Sequence, residues 1–307
     1  MMSRSHDMTA RHVIRKQRIK DAVYGLLGGA SYCSGLTWVR NSIDTVPSLR
    51  ILIYYKVNAV PGNTLSTTPQ LFAWQMRFLK EHYTVISPEQ LTSVMTNGGT
   101  LPRNAVLVTF DDGYRDVYEN AYPILKDMGL KALIFPATDY IGTTTPFPHD
   151  ERLPMPNPAL DWTQLRTMQD VFTVGSHTQS HRILTTLPLD VAKDEIFASK
   201  ALLEDKLRRV VQFFCYPKGG AGEFSQLLED MVRDAGYLAS FVTLTGPNTL
   251  KHVRSGQWLR RYHVDPFGDF MFARLLDGSC DAIGLKDTRW GGSVRRTFNC
   301  LLGTATR

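Results

Sequence analysis

Hydrophobic and polar positions follow two periods along residues 50–264. Continuous apolar runs such as ILIYYKV (51–57) and AVLVTF (105–110) predict strands buried on both faces. Segments with apolar residues three or four positions apart, such as residues 68–83, predict helices. Further strands are predicted within 84–87, 131–137, 171–176, 210–217, 238–244 and 258–264, and further helices over 88–98, 114–129, 161–170, 188–209 and 225–237. Because strand and helix alternate, the pattern predicts seven or eight mainly parallel strands in a barrel-like α/β layout.

Residues 142–160 interrupt this rhythm. Prolines occupy positions 146, 148, 154, 156 and 158. Proline removes backbone donors and restricts its neighbours, so a helix or a central strand is disfavoured here. A long ordered loop inside an α/β domain often lies over a functional site.

The ends of the chain differ in charge from the body. The net charge is +6 overall, but residues 1–20 carry +5 and residues 283–307 carry +4, which leaves −3 for the rest. A body without positive charge argues against a nucleic-acid partner. The basic ends are typical either of contact with an anionic membrane surface or of solvated tails.

Residues 22–39 carry no charge and are weakly apolar. Three interpretations stay open, namely a helix lying in the membrane interface, a signal anchor, and a helix packed on the domain. We therefore expect three regions: an N-terminal extension over 1–45, a catalytic domain over 46–280 and a basic tail over 281–307. Possible peripheral membrane contact through residues 1–40 favours a membrane-associated protein over a freely cytoplasmic one. The oligomeric state is not predicted.

The four cysteines are widely scattered and form no C-x-x-C pair, so neither a zinc ribbon nor a redox motif is indicated. Candidate chemistry lies instead at the carboxyl ends of the predicted strands, where parallel α/β folds place their sites. Asp111 and Asp112 follow the strand at 105–110, and His177 and His181 follow the strand at 171–176. On a helical turn the i, i+4 spacing would place both imidazoles on one face, where with one carboxylate they would form a His₂Asp metal site.

These motifs resemble those of the polysaccharide deacetylases, the NodB-homology or carbohydrate esterase family 4 domain. TFDDGY (109–114) and SHTQSH (176–181) are similar to the two leading motifs of the family, FFCYPKGG (213–220) to the third and WLRRYHV (258–264) to a fourth. The strand ILIYYKV resembles the branch with permuted strands, which includes the poly-N-acetylglucosamine deacetylases. The resemblance implies a distorted (β/α)7 TIM-like barrel and a divalent metal, Zn²⁺ first, with Co²⁺, Ni²⁺ or Mn²⁺ as alternatives.

The resemblance also implies a role for each matched residue. Asp111 would be the general base, and Asp112, His177 and His181 would be the metal ligands. The backbone N–H of Lys218 would help to bind the oxyanion. An arginine near the fourth motif would orient the base; only one of two adjacent arginines can point inward, and Arg261 is preferred over Arg260.

The sequence departs from the family at the expected acid. The permuted branch has a histidine after the tyrosine of its first strand, where this chain has Tyr55. Tyrosine titrates near ~10 and is a poor acid at neutral pH. His263 is the first alternative, since it lies two residues from Arg261 and so on the same face of a strand. His149, in the proline-rich loop, is another.

We therefore expect a metal-dependent hydrolase that removes N-acetyl groups from amino sugars of a polysaccharide or a lipid-linked glycan. Within the enzyme class the alternative is a deformylase or amidase acting on a lipid-linked sugar. A catalytically impaired glycan-binding protein is the alternative outside that class, because of Tyr55. A non-haem iron oxygenase also uses two histidines and one carboxylate, but the α/β pattern does not support it.

Overall fold

The computed structural model describes residues 47–60, 65–151, 157–264, 268–281 and 284. The predicted N-terminal extension, with its possible membrane contact, and nearly all of the predicted C-terminal tail lie outside these residues and stay predictions. Within the described residues, no helix is both long and apolar enough to cross a bilayer.

The described strands are short apart from two. They are β1 Ser48–Tyr54, β2 Lys56–Val57, β3 Ser66–Thr67, β4 Thr84–Val85, β5 Ala105–Asp112, β6 Ala132–Pro136, β7 Phe172–Val174, β8 Phe213–Cys215, β9 Ala239–Phe241, β10 Asn248–Thr249 and β11 Tyr262–His263. The described α-helices are α1 Pro69–His82, α2 Pro88–Thr96, α3 Tyr122–Asp127, α4 Trp162–Thr167, α5 Leu189–Leu207, α6 Gln226–Asp234, α7 Leu250–Ser255 and α8 Asp269–Leu276.

Seven of these strands form a closed parallel barrel, as expected. Ladders join β1 to β5, β5 to β6 and β6 to β7. A bridge between Ser176 and Phe214 continues the ring from β7 to β8, which pairs with β9. A second bridge joins Phe241 to Leu259, and β11 then pairs with β1. Two of the connections between neighbouring strands are single bridges rather than ladders, so the (β/α)7 barrel is distorted.

Local sequence signals account for several helix boundaries. Thr68 caps α1 by accepting from the backbone N–H of Leu71, with proline at the first helical position. Ser87 and Asp161 each form a capping box with a glutamine three residues later, at the starts of α2 and α4. These helices therefore begin within a residue of the positions that the sequence predicts.

The helix predicted over 114–129 is present over 115–127 but is not a regular α-helix throughout. A π-helical turn spans Val117–Ala121, and α3 follows it over Tyr122–Asp127. The backbone N–H of Tyr122 donates to the carbonyl of Val117, five residues back. Pro123 has no N–H and its ring crowds the preceding turn, so the regular helical ladder cannot run through this point.

The hydrophobic core packs against both faces of the central strands. All eight residues of β5 are buried, including its two terminal aspartates. Strand β1 lies between β5 and β11, and its last four residues are buried. The carboxyl ends of β5, β7 and β8 consequently lead into the same mouth of the barrel.

Candidate active site

The adjacent carboxylates at the end of β5 face different partners. Asp111 continues the strand, whereas Asp112 has a left-handed backbone with φ of 69°. Gly113 follows with φ of 83°, and a Cβ there would lie 2.7 Å from the Cβ of Pro136, so only glycine fits. This turn directs the two buried side chains away from each other.

Asp111 is paired with Arg261. The two guanidinium nitrogens donate to the two carboxylate oxygens at 2.7 and 2.8 Å, and both side chains are buried. Burial lowers the pKa of Arg261, but the charges of Asp111 and Cys215 outweigh it and raise the pKa above its usual value. Of the two adjacent arginines, Arg260 is exposed and Arg261 points inward.

Asp112 faces the two histidines of the SHTQSH segment. Its Oδ1 lies 3.1 Å from His181 Nε2 and 3.5 Å from His177 Nε2. Nδ1 of His177 lies 2.8 Å from the carbonyl oxygen of Cys215 and donates to it, so in the neutral imidazole the lone pair is on Nε2. Burial raises the pKa of Asp112, but the neighbouring histidines outweigh this and hold the pKa well below its usual range.

These three side chains fit a divalent metal ion. Among the described residues, both carboxylate oxygens of Asp112 are buried without a hydrogen bond of good geometry, as expected for metal ligands. Two imidazole nitrogens and one carboxylate oxygen are a ligand set that zinc accepts. A second cluster, formed by Asp111, His177 and Cys215, is less suitable. The guanidinium of Arg261 lies 2.9 Å from its sulfur and would repel a cation.

The histidine segment does not form the predicted helical turn. Thr178 and His181 both have left-handed backbones, and the segment is irregular. The imidazoles nevertheless meet, with ring centroids 4.8 Å apart. Glu195 of α5 fixes the segment, because its carboxylate accepts hydrogen bonds from the backbone N–H groups of Gln179 and Ser180 at 2.9 Å each.

Glu195 was not predicted from the sequence. It is a buried residue of a long helix and carries no motif of its own. A glutamate on the buried face of an otherwise amphipathic helix was the available signal, since unpaired buried carboxylates are rare.

Tyr55 and His263, the two candidates for the acid, lie against each other. Their rings stack with centroids 5.3 Å apart, and the Tyr55 hydroxyl is 3.2 Å from His263 Nε2. Burial, together with the charges of Asp111 and Asp112, raises the pKa of Tyr55 well above its usual value. Tyr55 therefore stays neutral at physiological pH and acts as a hydrogen-bonding group.

Lys218 lies in the turn that follows β8. Lys218 and Gly219 both have left-handed backbones, and the Lys218 side chain is exposed. Thr243 fixes this turn, because its hydroxyl donates to the Lys218 carbonyl at 2.5 Å and its N–H donates to the Gly219 carbonyl at 2.9 Å. The backbone around the predicted oxyanion donor is thus rigidly held.

His149 also approaches the site. Its Nε2 lies 3.5 Å from the second oxygen of Asp112, Oδ2, and 2.8 Å from the hydroxyl of Tyr114. The described part of the proline-rich loop therefore contributes a side chain to the barrel mouth.

Known proteins resemble this chain in sequence. Residues 98–240 match the family model described as polysaccharide deacetylase. The Bacillus subtilis protein YxkH, which carries a provisional polysaccharide deacetylase name, is 29% identical over 188 residues. Those residues are 61% of this chain and 61% of the relative. The Escherichia coli poly-beta-1,6-N-acetyl-D-glucosamine N-deacetylase is 31% identical over 111 residues, 36% of this chain and 15% of that protein. The chain thus matches about three-fifths of the length of the first relative and much less of the second.

Solved structures show the same fold. The Streptococcus pyogenes deacetylase PplD, in complex with acetate, superposes with a TM-score of 0.62 at 25% identity, covering 72% of this chain and 94% of PplD. IcaB from Ammonifex degensii superposes with a TM-score of 0.63 at 21% identity, covering 76% of this chain and 97% of IcaB.

Proposed function

We propose that this chain, whose residues 98–240 form a polysaccharide deacetylase domain, is a metal-dependent hydrolase that removes N-acetyl groups from the amino sugars of a polysaccharide or a lipid-linked glycan. One observation carries the proposal. A buried carboxylate held by an arginine, Asp111, directly adjoins a carboxylate that faces two imidazoles. This arrangement supplies a base and a metal site side by side, as hydrolysis of an amide requires.

Asp111 is the proposed general base. Two charge-assisted hydrogen bonds from Arg261 fix the plane of its carboxylate, and each oxygen keeps a further lone pair that can accept a proton. Asp112, His177 and His181 would hold the ion. When bound, a divalent ion supplies Lewis acidity toward water and toward an amide oxygen.

Two further groups would act on the carbonyl oxygen and on the nitrogen of the substrate amide. The backbone N–H of Lys218, in a turn held by Thr243, is the proposed donor to the oxyanion. His263 is the proposed acid that protonates the leaving nitrogen. Because Tyr55 stacks on the ring and contacts Nε2, it would orient the imidazole rather than donate the proton.

The proposal is tested with the purified full-length protein. Metal content is measured first, and acetate release is then followed on chitooligosaccharides, poly-β-1,6-N-acetylglucosamine and lipid-linked acetamido sugars. We expect release that stops on chelation and returns with added zinc. Formate release from formylated sugars would favour the deformylase alternative instead. Tight glycan binding that survives metal removal, with no release of acetate or formate, would favour a binding protein.

His263→Ala is expected to lower kcat at least about tenfold, because general acids typically contribute about 10²–10⁴-fold. Tyr55→Phe, which keeps the stacked ring but removes the hydroxyl, should lower kcat less. His82→Ala, which changes an exposed histidine of α1, is the control. A kcat for His263→Ala within threefold of the wild-type value would show that His263 is not the acid.

A further inference from the structure

Residues 142–151, which we call the strap, lie at the barrel mouth. Two buried side chains of the strap hold it in place. Phe147 and Asp150 are buried, although most of their neighbours in the strap are exposed. Phe147 stacks on Tyr140 with ring centroids 4.0 Å apart. The strap is therefore packed in a defined position rather than resting loosely on the surface.

A buried ion pair holds the end of the strap. Nζ of Lys56 lies 2.5 Å from Oδ1 of Asp150, and neither side chain is more than 1% exposed. The hydroxyl of Tyr114 donates to Oδ2 of the same carboxylate at 2.7 Å, and its ring lies under the ammonium with the centroid 4.4 Å away. Buried charges need such full pairing to be tolerated. We call Lys56, Tyr114 and Asp150 the latch.

The latch determines which nitrogen of His149 carries the proton. Tyr114 has a single hydroxyl proton, and the Asp150 carboxylate can only accept, so the proton is directed to Asp150. The Tyr114 oxygen then accepts from His149, whose Nε2 at 2.8 Å must carry a hydrogen.

The same Nε2–H, whose hydrogen bond goes to Tyr114, also lies near Asp112, at a distance where its dipole acts on the carboxylate without forming a hydrogen bond. His177 and His181 approach Oδ1 of that carboxylate, whereas Nε2 of His149 approaches Oδ2 at 3.5 Å. The positive end of this dipole beside the outer oxygen favours one orientation of the ligating carboxylate, and outer partners of metal ligands typically contribute about 10–100-fold to metal affinity or activity.

We propose that His149, held by the latch, is a positioning residue that supports Asp112 through its outer oxygen and thereby raises the affinity of the site for a divalent metal. This inference rests on the proposed function, since it concerns the same metal site. It assigns the strap a role in metal binding that acts through Asp112 and needs no contact between His149 and substrate.

Competition with a chromophoric zinc chelator tests the inference on the full-length protein without substrate. His149→Ala should weaken zinc binding about tenfold or more. His149→Gln should stay within about threefold of wild type, because its amide N–H takes the place of Nε2–H. Glu151→Gln, at an exposed neighbouring position, is the matched control and should not change the affinity. Thermal unfolding of the apo-proteins checks that the fold is retained.

Tyr114→Phe is a second, independent test of the inference. It removes the oxygen that fixes the tautomer of His149 and leaves the ion pair between Lys56 and Asp150 in place. It should weaken zinc binding, and its effect should be much smaller when His149 is already alanine. The inference would be wrong if the zinc affinity of His149→Ala stayed within twofold of wild type, or if His149→Gln lost as much affinity as His149→Ala. Either result would leave the proposed function standing. Failure of the wild-type protein to bind zinc would overturn the metal site of the proposed function as well.

Discussion

Asp111→Asn is expected to lower kcat for deacetylation by about 10²–10⁴-fold while the protein retains its metal. The amide cannot accept a proton at neutral pH, so general-base catalysis is lost. The proposed ligands Asp112, His177 and His181 are unchanged, so metal content should stay near that of wild type. Steady-state acetate release and metal analysis of the same preparation measure both quantities.

Asp112→Asn is the matched control for this prediction, since it makes the same change one residue later. It should lose metal and activity together, because its Oδ1 faces both histidines. Thermal unfolding of both variants checks the fold, since Arg261 is buried against Asp111. If Asp111→Asn kept a third or more of the wild-type kcat, or lost metal as Asp112→Asn does, its assignment as the base would be wrong.

Lys56→Met is expected to lower the free energy of unfolding by about 3–5 kcal/mol, the usual cost of leaving one partner of a buried ion pair uncompensated. The Asp150 carboxylate is 1% exposed, and from the part of the chain that the structure describes it would keep only the hydroxyl of Tyr114 as a partner of good geometry. Urea unfolding measures the effect as a lower midpoint with an unchanged slope.

Two further variants isolate the cause. Lys56→Met combined with Asp150→Asn removes both charges and should recover most of the lost stability, because neutral replacement of a buried pair is often tolerated. Lys126→Met makes the same substitution in the exposed pair with Asp170 and should leave the midpoint almost unchanged. A double variant no more stable than Lys56→Met would show that packing of the lysine stem, rather than its charge, stabilises this region.

The sequence predicted the fold because its signals are local. Continuous apolar runs marked buried strands, and caps at Thr68, Ser87 and Asp161 marked helix starts. The helix predicted over 114–129 is present but irregular, for a local reason too: the apolar spacing favoured a helix, and Pro123 changes the hydrogen-bonding register within it.

Parts of the site were predicted less completely. The motifs identified Asp112, His177 and His181 as candidate ligands, and the structure places the three side chains in one cluster. The i, i+4 spacing suggested a helical turn, whereas Glu195 from α5 holds an irregular loop. A residue 15 or 16 positions away on another element leaves no trace in the spacing of the motif itself.

By itself the sequence determined the alternation of strands and helices and the paired motifs at strand ends, since each depends on neighbours in the chain. Only the tertiary structure decided that Arg261 holds both oxygens of Asp111, and that His263 stacks on Tyr55. It also decided that Lys56 pairs with Asp150, 94 residues away, and so brings His149 to Asp112. Closure of the barrel places these distant positions side by side, and burial makes each unpaired charge too costly to leave without its partner.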